Sequence, residues 1–133
     1  MNQIKWKFSV PLEKDGVLED FERDYGVSIP TDLKRIIINH NAAIPDKDTF
    51  DYPTKGMVFA GLLSFNHSDE ETVYMAASQF FQNGKLQLLP FATNGFGDFL
   101  CLKDTKVVLW NHENNSTEDI ADSVESFLNL LHD

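Results

Sequence analysis

Three apolar runs in the C-terminal half of the chain are separated by only a few turn-forming residues. They are residues 85–92 (KLQLLPFA), 96–103 (FGDFLCLK) and 106–112 (KVVLWNH). Asn94–Gly95 separates the first two, and Asp104–Thr105 separates the last two. Because an Asn-Gly pair is a strong hairpin signal and short links join neighbouring strands, the sequence predicts a three-stranded antiparallel meander.

The turn between the first two strands contains Asn94, Gly95, Gly97 and Asp98. The Asn-Gly pair predicts a type I′ turn, and Gly97 permits a bulge beside it. We expect Asp98 to accept hydrogen bonds from backbone amides of the turn. Two glycines that precede a strand do not form a phosphate-binding loop, which needs a helix after them. A general-base role for Asp98 is the alternative, and it requires a histidine or second carboxylate supplied by the fold.

Four other segments carry the apolar spacing or the end signals of amphipathic helices. They are Pro11–Tyr25, residues 30–41, residues 68–84 and Thr117–Leu131. The second helix is expected to end at the asparagines of residues 39–41, since asparagine tolerates the left-handed conformation. Ser68 and Gly84 bound the third helix, and Ser116 with Asp119 predicts a capping box for the last.

The order of these elements predicts the fold class. Residues 57–65 (MVFAGLLSF) indicate a strand broken at Gly61, and residues 46–56 a loop or an edge strand. The chain has 133 residues, the size of one domain, with no repeat or linker. We therefore predict one α+β domain over residues 1–133, with a mostly antiparallel sheet packed against N-terminal, inserted and C-terminal helices.

The chain carries a formal net charge of −10, most of it in the second half. Residues 67–133 hold three basic and eleven acidic side chains, against eight and ten in residues 1–66. Such a surface repels nucleic acid and anionic membranes, and it attracts a basic protein. Solubility is the other explanation for the same charge. We predict a protein partner and neither nucleic acid nor membrane binding.

The chain shows no catalytic or metal-binding pattern. Cys101 is the single cysteine and lies in an apolar run, so we expect a buried side chain rather than a nucleophile. The histidines lack metal-ligand spacing, and we predict no metal, cofactor or enzyme activity. The N-terminal residues lack the apolar segment of a signal peptide, and no run approaches the roughly 20 residues of a membrane span. These features predict a cytoplasmic protein.

Residues 18–43 (LEDFERDYGVSIPTDLKRIIINHNAA) resemble the opening of the SUKH superfamily. The shared pattern is an acidic helix, a short link ending in Pro30, a second helix, and an asparagine-rich end that includes Asn41. The predicted strand pair resembles a second motif of the superfamily, whose residues here are Pro90, Phe91, Ala92, Gly95, Gly97, Asp98 and Cys101. The resemblance extends over residues 12–131 and departs at Ala42–Ala43, where the superfamily often has two glycines.

The resemblance implies a single α+β domain that acts by protein contacts and has no catalytic activity. Most bacterial members of the superfamily look like immunity proteins, which bind and block a toxin, often a nuclease. Fungal members are regulators of cell-wall synthesis. The first hypothesis is therefore an immunity protein against a basic toxin domain. A regulatory adaptor for a cellular enzyme is the second, and a small enzyme built on Asp98 is the third.

Acidic residues of the second half are the predicted contacts for a basic partner. Charge density selects Glu70, Glu71, Asp98, Glu113, Glu118, Asp122 and Glu125. Three of them, Glu118, Asp122 and Glu125, share one face of the predicted last helix. An exposed Trp110 or Phe96 is a candidate aromatic anchor, and either belongs to the core if it is buried.

Overall fold

A five-stranded antiparallel sheet forms the centre of the fold. This computed structural model describes residues 4–133, which form four helices and eleven strands of a single α+β domain, so the predicted fold class is confirmed. The helices are α1 (Val17–Tyr25), α2 (Thr31–His40), α3 (Val73–Ala77) and α4 (Val124–Leu128). The strands are β1 (Trp6–Lys7), β2 (Ile44–Pro45), β3 (Thr49–Phe50), β4 (Met57–Val58), β5 (Gly61–Leu62), β6 (Phe81–Gln82), β7 (Lys85–Leu86), β8 (Leu89–Thr93), β9 (Phe99–Lys103), β10 (Lys106–Asn111) and β11 (Ser116–Ala121).

The central sheet contains the predicted meander. Its strand order is β11-β10-β9-β8-β5. Every neighbouring pair is antiparallel. In β9, Cys101 lies opposite Pro90 of β8 on one side and opposite Val108 of β10 on the other. The remaining strands form three two-stranded sheets, β1–β2, β3–β4 and β6–β7.

The middle strands of this sheet are buried on both faces. Leu100 and Cys101 point to opposite faces, and both are 0% exposed. Phe21 of α1, Ile37 of α2 and Phe127 of α4 belong to the same apolar core. Burying a side chain of this size contributes roughly 1.5–3 kcal/mol. Because both faces are buried, the middle strands are continuously apolar and do not alternate with polar residues.

The first helix is shorter than predicted and the second is confirmed. α1 begins at Val17 rather than Pro11, because Gly16 adopts a left-handed φ of 81° and interrupts the helix. Upstream, the Glu13 N–H donates to Asn66 Oδ1 at 2.8 Å, so a tertiary contact holds this segment. α2 follows Pro30, which occupies the N-cap position.

The left-handed residue after α2 is Ala42, and the prediction of an asparagine there is wrong. Asn41 has a φ of −52° and Ala42 a φ of 64°. The side-chain nitrogen and oxygen of buried Asn41 are both hydrogen-bonded, to Ser64 and Phe65, and the chain reverses at Ala42 instead. A residue with a Cβ atom in the left-handed region loses roughly 1–2 kcal/mol.

Replacing Ala42 by glycine is expected to raise the free energy of unfolding by about 0.5–1 kcal/mol. Glycine removes the left-handed strain, although it also gives the unfolded chain more freedom. Urea denaturation measures the change. The control is Ala43→Gly, which removes a fully buried methyl group outside the left-handed region and is expected to destabilise. A less stable Ala42→Gly variant would contradict the strain at this position.

Residues 57–65 form two short strands in two different sheets, so the prediction of one strand broken at Gly61 is wrong. β4 pairs with β3, and β5 pairs with β8. The chain crosses between the sheets at Phe59 and Ala60. The Phe59 N–H donates to Asp48 O at 2.8 Å, and the Ala60 N–H donates to Thr93 O at 2.8 Å. Phe59 is therefore bound to the residue before β3, and Ala60 to the last residue of β8.

The third helix covers only Val73–Ala77, and the prediction for residues 68–84 is too long. Its cap is Thr72, whose side-chain oxygen accepts a hydrogen bond from the Met75 N–H, and not Ser68. Asn83 and Gly84 have φ angles of 53° and 75° and form the turn of the β6–β7 hairpin. An Asn-Gly pair favours that turn over a helix end.

The first half of the predicted last helix is a strand. Ser116–Ala121 pairs with β10 as β11, and the helix α4 begins only after Ser123, whose hydroxyl oxygen accepts from the Ser126 N–H at 3.0 Å. The proposed capping box of Ser116 and Asp119 is therefore wrong. Asn115, with a φ of 57°, closes the turn that brings β11 back along β10.

Candidate functional site

The loop between β8 and β9 is organised by Asn94. Its Oδ1 accepts hydrogen bonds from the Phe96 N–H at 2.8 Å and the Asp98 N–H at 3.2 Å. Its Nδ2 donates to Asp98 Oδ2 at 3.0 Å. The expectation that Asp98 accepts hydrogen bonds from the turn amides is therefore wrong, because the acceptor of these hydrogen bonds is Asn94 Oδ1. A type I′ turn at Asn94–Gly95 would need positive φ angles at both residues. Gly95 and Gly97 have positive φ angles, 83° and 99°, but Asn94 does not, so the predicted type I′ turn does not form.

Asp98 instead connects this loop to the end of β10. Its Oδ1 accepts from the His112 N–H at 3.1 Å and lies 2.6 Å from His112 Nδ1. Burial alone raises the pKa of Asp98, but the hydrogen bonds from His112 and Asn94 outweigh it and hold this pKa below its ordinary value. A Cβ at Gly97 would lie 3.1 Å from the His112 ring, so glycine permits the close approach. Oδ1 of Asp98 therefore connects the β8–β9 loop to the residue after β10, while Oδ2 binds Asn94 within the β8–β9 loop.

Asn41, Ser64 and Asp69 form a hydrogen-bond network between the end of α2 and the segment after β5. Asn41 Nδ2 donates to Ser64 Oγ at 3.2 Å, and Asn41 Oδ1 accepts from the Phe65 N–H at 2.9 Å. The Ser64 hydroxyl donates in turn to Asp69 Oδ2. Asn41 is 2% exposed, so these bonds replace contacts with water. The network fixes the position of the Asp69 carboxylate.

Asn66 extends this network to the N-terminal segment. Its Oδ1 accepts from the Glu13 N–H and its Nδ2 donates to Pro11 O, each at 2.8 Å. The sequence prediction missed Ser64 and Asn66. Their only signal is that they are polar residues at the end of the apolar run 57–65.

A groove of about 330 Å³ lies directly beside this network. Apolar or small residues on its walls include Val10, Ala42, Ile44 and Thr93, and its acidic side comprises Asp69, Glu70 and Glu71. Gly95 of the β8–β9 loop also lines it. The groove therefore brings together two of the predicted partner-binding acids, Glu70 and Glu71, with Gly95 of the second motif and with Ala42. We call it the acidic groove.

Exposed apolar side chains lie at or beside the acidic groove. Phe96, next to Gly95, is 73% exposed, and Ile44 and Val10 are 41% and 37% exposed. Trp110 is buried at 7%, stacks on Phe99 and donates from Nε1 to Asn115 Oδ1, so it belongs to the core. Of the two predicted aromatic anchors, Phe96 is the exposed one.

The other predicted acids do not form one helix face, and that part of the prediction is wrong. Glu113 lies in the loop after β10, Glu118 on β11, and Asp122 between β11 and α4. Glu125 is in the first turn of α4, where its N–H donates to Asp32 Oδ2 at 3.1 Å. The change from helix to strand at residues 116–121 separates these carboxylates.

Cys101 and Pro90 lie in neighbouring strands of the central sheet. Cys101 is buried as expected, and burial raises the pKa of its thiol far above the ordinary value. Pro90 is also buried.

Across residues 4–133, no three histidine, cysteine, aspartate or glutamate side chains come close enough together to hold a metal ion. None of the helices in that range combines the length and the apolar character that crossing a bilayer requires.

Comparison with known families agrees with this arrangement of motifs. No curated protein matches the chain. A family model described as SMI1 / KNR4 family (SUKH-1) matches residues 14–130. This range contains both motifs, the Asn41 network and the β8–β9 loop. The chain therefore belongs to the SMI1 / KNR4 family (SUKH-1).

Proposed function

We propose that this protein is a cytoplasmic immunity protein, which binds a basic toxin domain one-to-one and thereby blocks it. The observation that carries the proposal is the acidic groove, where Asp69, Glu70 and Glu71 share the walls with exposed Val10 and Ile44. Gly95, the chain neighbour of exposed Phe96, also lines it. The family covers immunity proteins and Smi1/Knr4 regulators, and its members are generally binding proteins without catalytic activity. A nuclease is the favoured toxin class, because nucleases present basic surfaces to phosphate.

The chemistry of the groove supports a protein partner. Protein interfaces combine an apolar centre with a polar rim, and aromatic side chains often anchor them. Val10, Ile44 and Phe96 supply exposed apolar surface here, and the three acids lie beside it. The net charge of −10 attracts a basic partner over distance and increases its rate of arrival. These features favour stoichiometric binding that is fast and weakened by salt.

A rescue assay in the native host tests the proposal. The expected partner is a basic toxin domain encoded next to this gene, and that domain is expressed with and without this protein. We expect growth to be restored, the two proteins to co-purify one-to-one, and the affinity to fall as salt rises. An adaptor for a resident enzyme, the other function in the family, would give no rescue. Rescue without a complex would also contradict the proposal, because immunity by binding requires one.

Reversing the charge of Glu70 and Glu71 to lysine is expected to lower the association rate constant about tenfold at low salt. Both side chains are exposed, so the melting temperature should change little. Stopped-flow binding to the toxin domain measures the rate. Asp15→Lys with Glu19→Lys is the matched control, since it makes the same change in net charge with exposed residues outside the groove. Equal slowing in the two variants would show that net charge alone acts and would exclude the groove.

A further inference from the structure

Strand β11 forms an open edge of the central sheet. It pairs with β10 in regular register along Ser116–Asp119, and a bulge at Ile120 interrupts the pairing. The opposite edge strand, β5, is covered, because the Leu62 N–H donates to Ala43 O at 3.0 Å. Within residues 4–133, no strand lies on the outer side of β11. The outward N–H and C=O groups of this edge are therefore available to a further strand.

The regular part of the edge is acidic on both faces of the sheet. Residues 116–119 are all exposed, whereas Val107–Trp110 of the neighbouring strand are buried. Successive side chains of a strand point to opposite faces, so Glu118 and Asp119 place one carboxylate on each face. Lys106 lies 3.8 Å from Asp119, and both side chains are more than half exposed, so this ion pair offsets the charge only weakly.

These charges determine which strand fits the edge. A second copy whose β11 pairs antiparallel about residues 118–119 would bring Glu118 and Asp119 against the same two acids, and like charges opposite each other destabilise a strand pair. An apolar strand would find no exposed apolar side chain at residues 116–119. A strand with lysine or arginine on both faces meets opposite charge, while its backbone completes the hydrogen-bond ladder.

We infer that β11 is a strand-addition site for a basic, extended segment of the protein partner. The inference deepens the proposed function, on which it rests for the identity of the partner, by adding a second contact outside the acidic groove. The edge chemistry itself is testable without the toxin.

The probe is a peptide of about eight residues, made of valine and threonine with two neighbouring lysines in the middle. One lysine then lies on each face of the added strand. Hydrogen exchange of the backbone amides, followed by NMR, is the readout. We expect exchange to slow at alternate residues of 116–119, because only alternate N–H groups point outward. A peptide with glutamates in place of the lysines, and one with alternate amides N-methylated, are expected to give no slowing.

Variants of the protein separate specific pairing from general attraction. Glu118→Lys with Asp119→Lys is expected to weaken peptide binding about tenfold. Asp15→Lys with Glu19→Lys changes the net charge equally and is expected to keep binding within about twofold. Absence of alternating protection with the lysine peptide, equal protection by the glutamate peptide, or self-association of the free protein through this edge in sedimentation would each overturn the inference.

The outcomes for the edge and for the immunity function are distinguishable. A rescued one-to-one toxin complex with unchanged exchange in β11 would remove the edge from the interface and leave the immunity proposal intact. Alternating protection by the lysine peptide, together with failure of rescue, would establish the edge chemistry and reject the immunity function.

Discussion

Replacing Asn41 by leucine is expected to lower the free energy of unfolding by about 2–3 kcal/mol. Leucine keeps the volume but removes both hydrogen bonds of the amide. The buried Phe65 N–H then has no acceptor, and the Ser64 hydroxyl loses a donor. Because Ser64 also holds Asp69, we expect the variant to bind the toxin domain less tightly as well.

Urea denaturation measures the loss of stability, and Asn39→Leu is the matched control. Asn39 is exposed near the end of the same helix, and its side chain donates a hydrogen bond to Arg35 O. Its replacement is expected to change stability by less than about 0.5 kcal/mol. If the two variants have the same stability, Asn41 does not organise the network that we describe.

Replacing Gly26 by alanine is expected to lower the free energy of unfolding by about 3 kcal/mol, for two independent reasons. Gly26 has a φ of 59°, where a side chain is strained. A Cβ at this position would also lie 2.3 Å from Gly84 O, so the β6–β7 hairpin would have to move away from α1.

Gly16→Ala separates the two reasons. Gly16 is at the other end of α1 with a φ of 81°, and a Cβ there would meet no atom within 4 Å. This control is therefore expected to lose only the conformational part, about 1 kcal/mol. Thermal and urea unfolding of both variants measure the difference. Equal losses would mean that the contact between residues 26 and 84 is not close in solution.

Local signals predicted the meander and the second helix well. Asn94–Gly95 and Asp104–Thr105 separate apolar runs that pair as neighbours, and the apolar stripe of α2 is buried as its spacing indicates. Long-range contacts decided the other elements. Residues 116–121 are polar and exposed on an edge strand, so no alternation of apolar residues marks them as a strand.

The candidate site was only partly predictable for the same reason. Charge density selected Glu70 and Glu71, which lie in the acidic groove. The partner of Asp98 is His112, fourteen residues away, and only the hairpin register brings the two side chains together. Asn41 and Ser64 are 23 residues apart, and no spacing rule connects them. Groups joined by tertiary folding leave no local pattern in the sequence.

The most direct test of the account is hydrogen exchange of this protein alone and in complex with the toxin domain. We predict slower exchange in the complex for residues 69–71 and 94–97, which form the acidic groove and the exposed hairpin tip with Phe96. Protection confined to segments that do not line the acidic groove, such as α1 and the β6–β7 hairpin, would contradict the assignment of the acidic groove as the binding site.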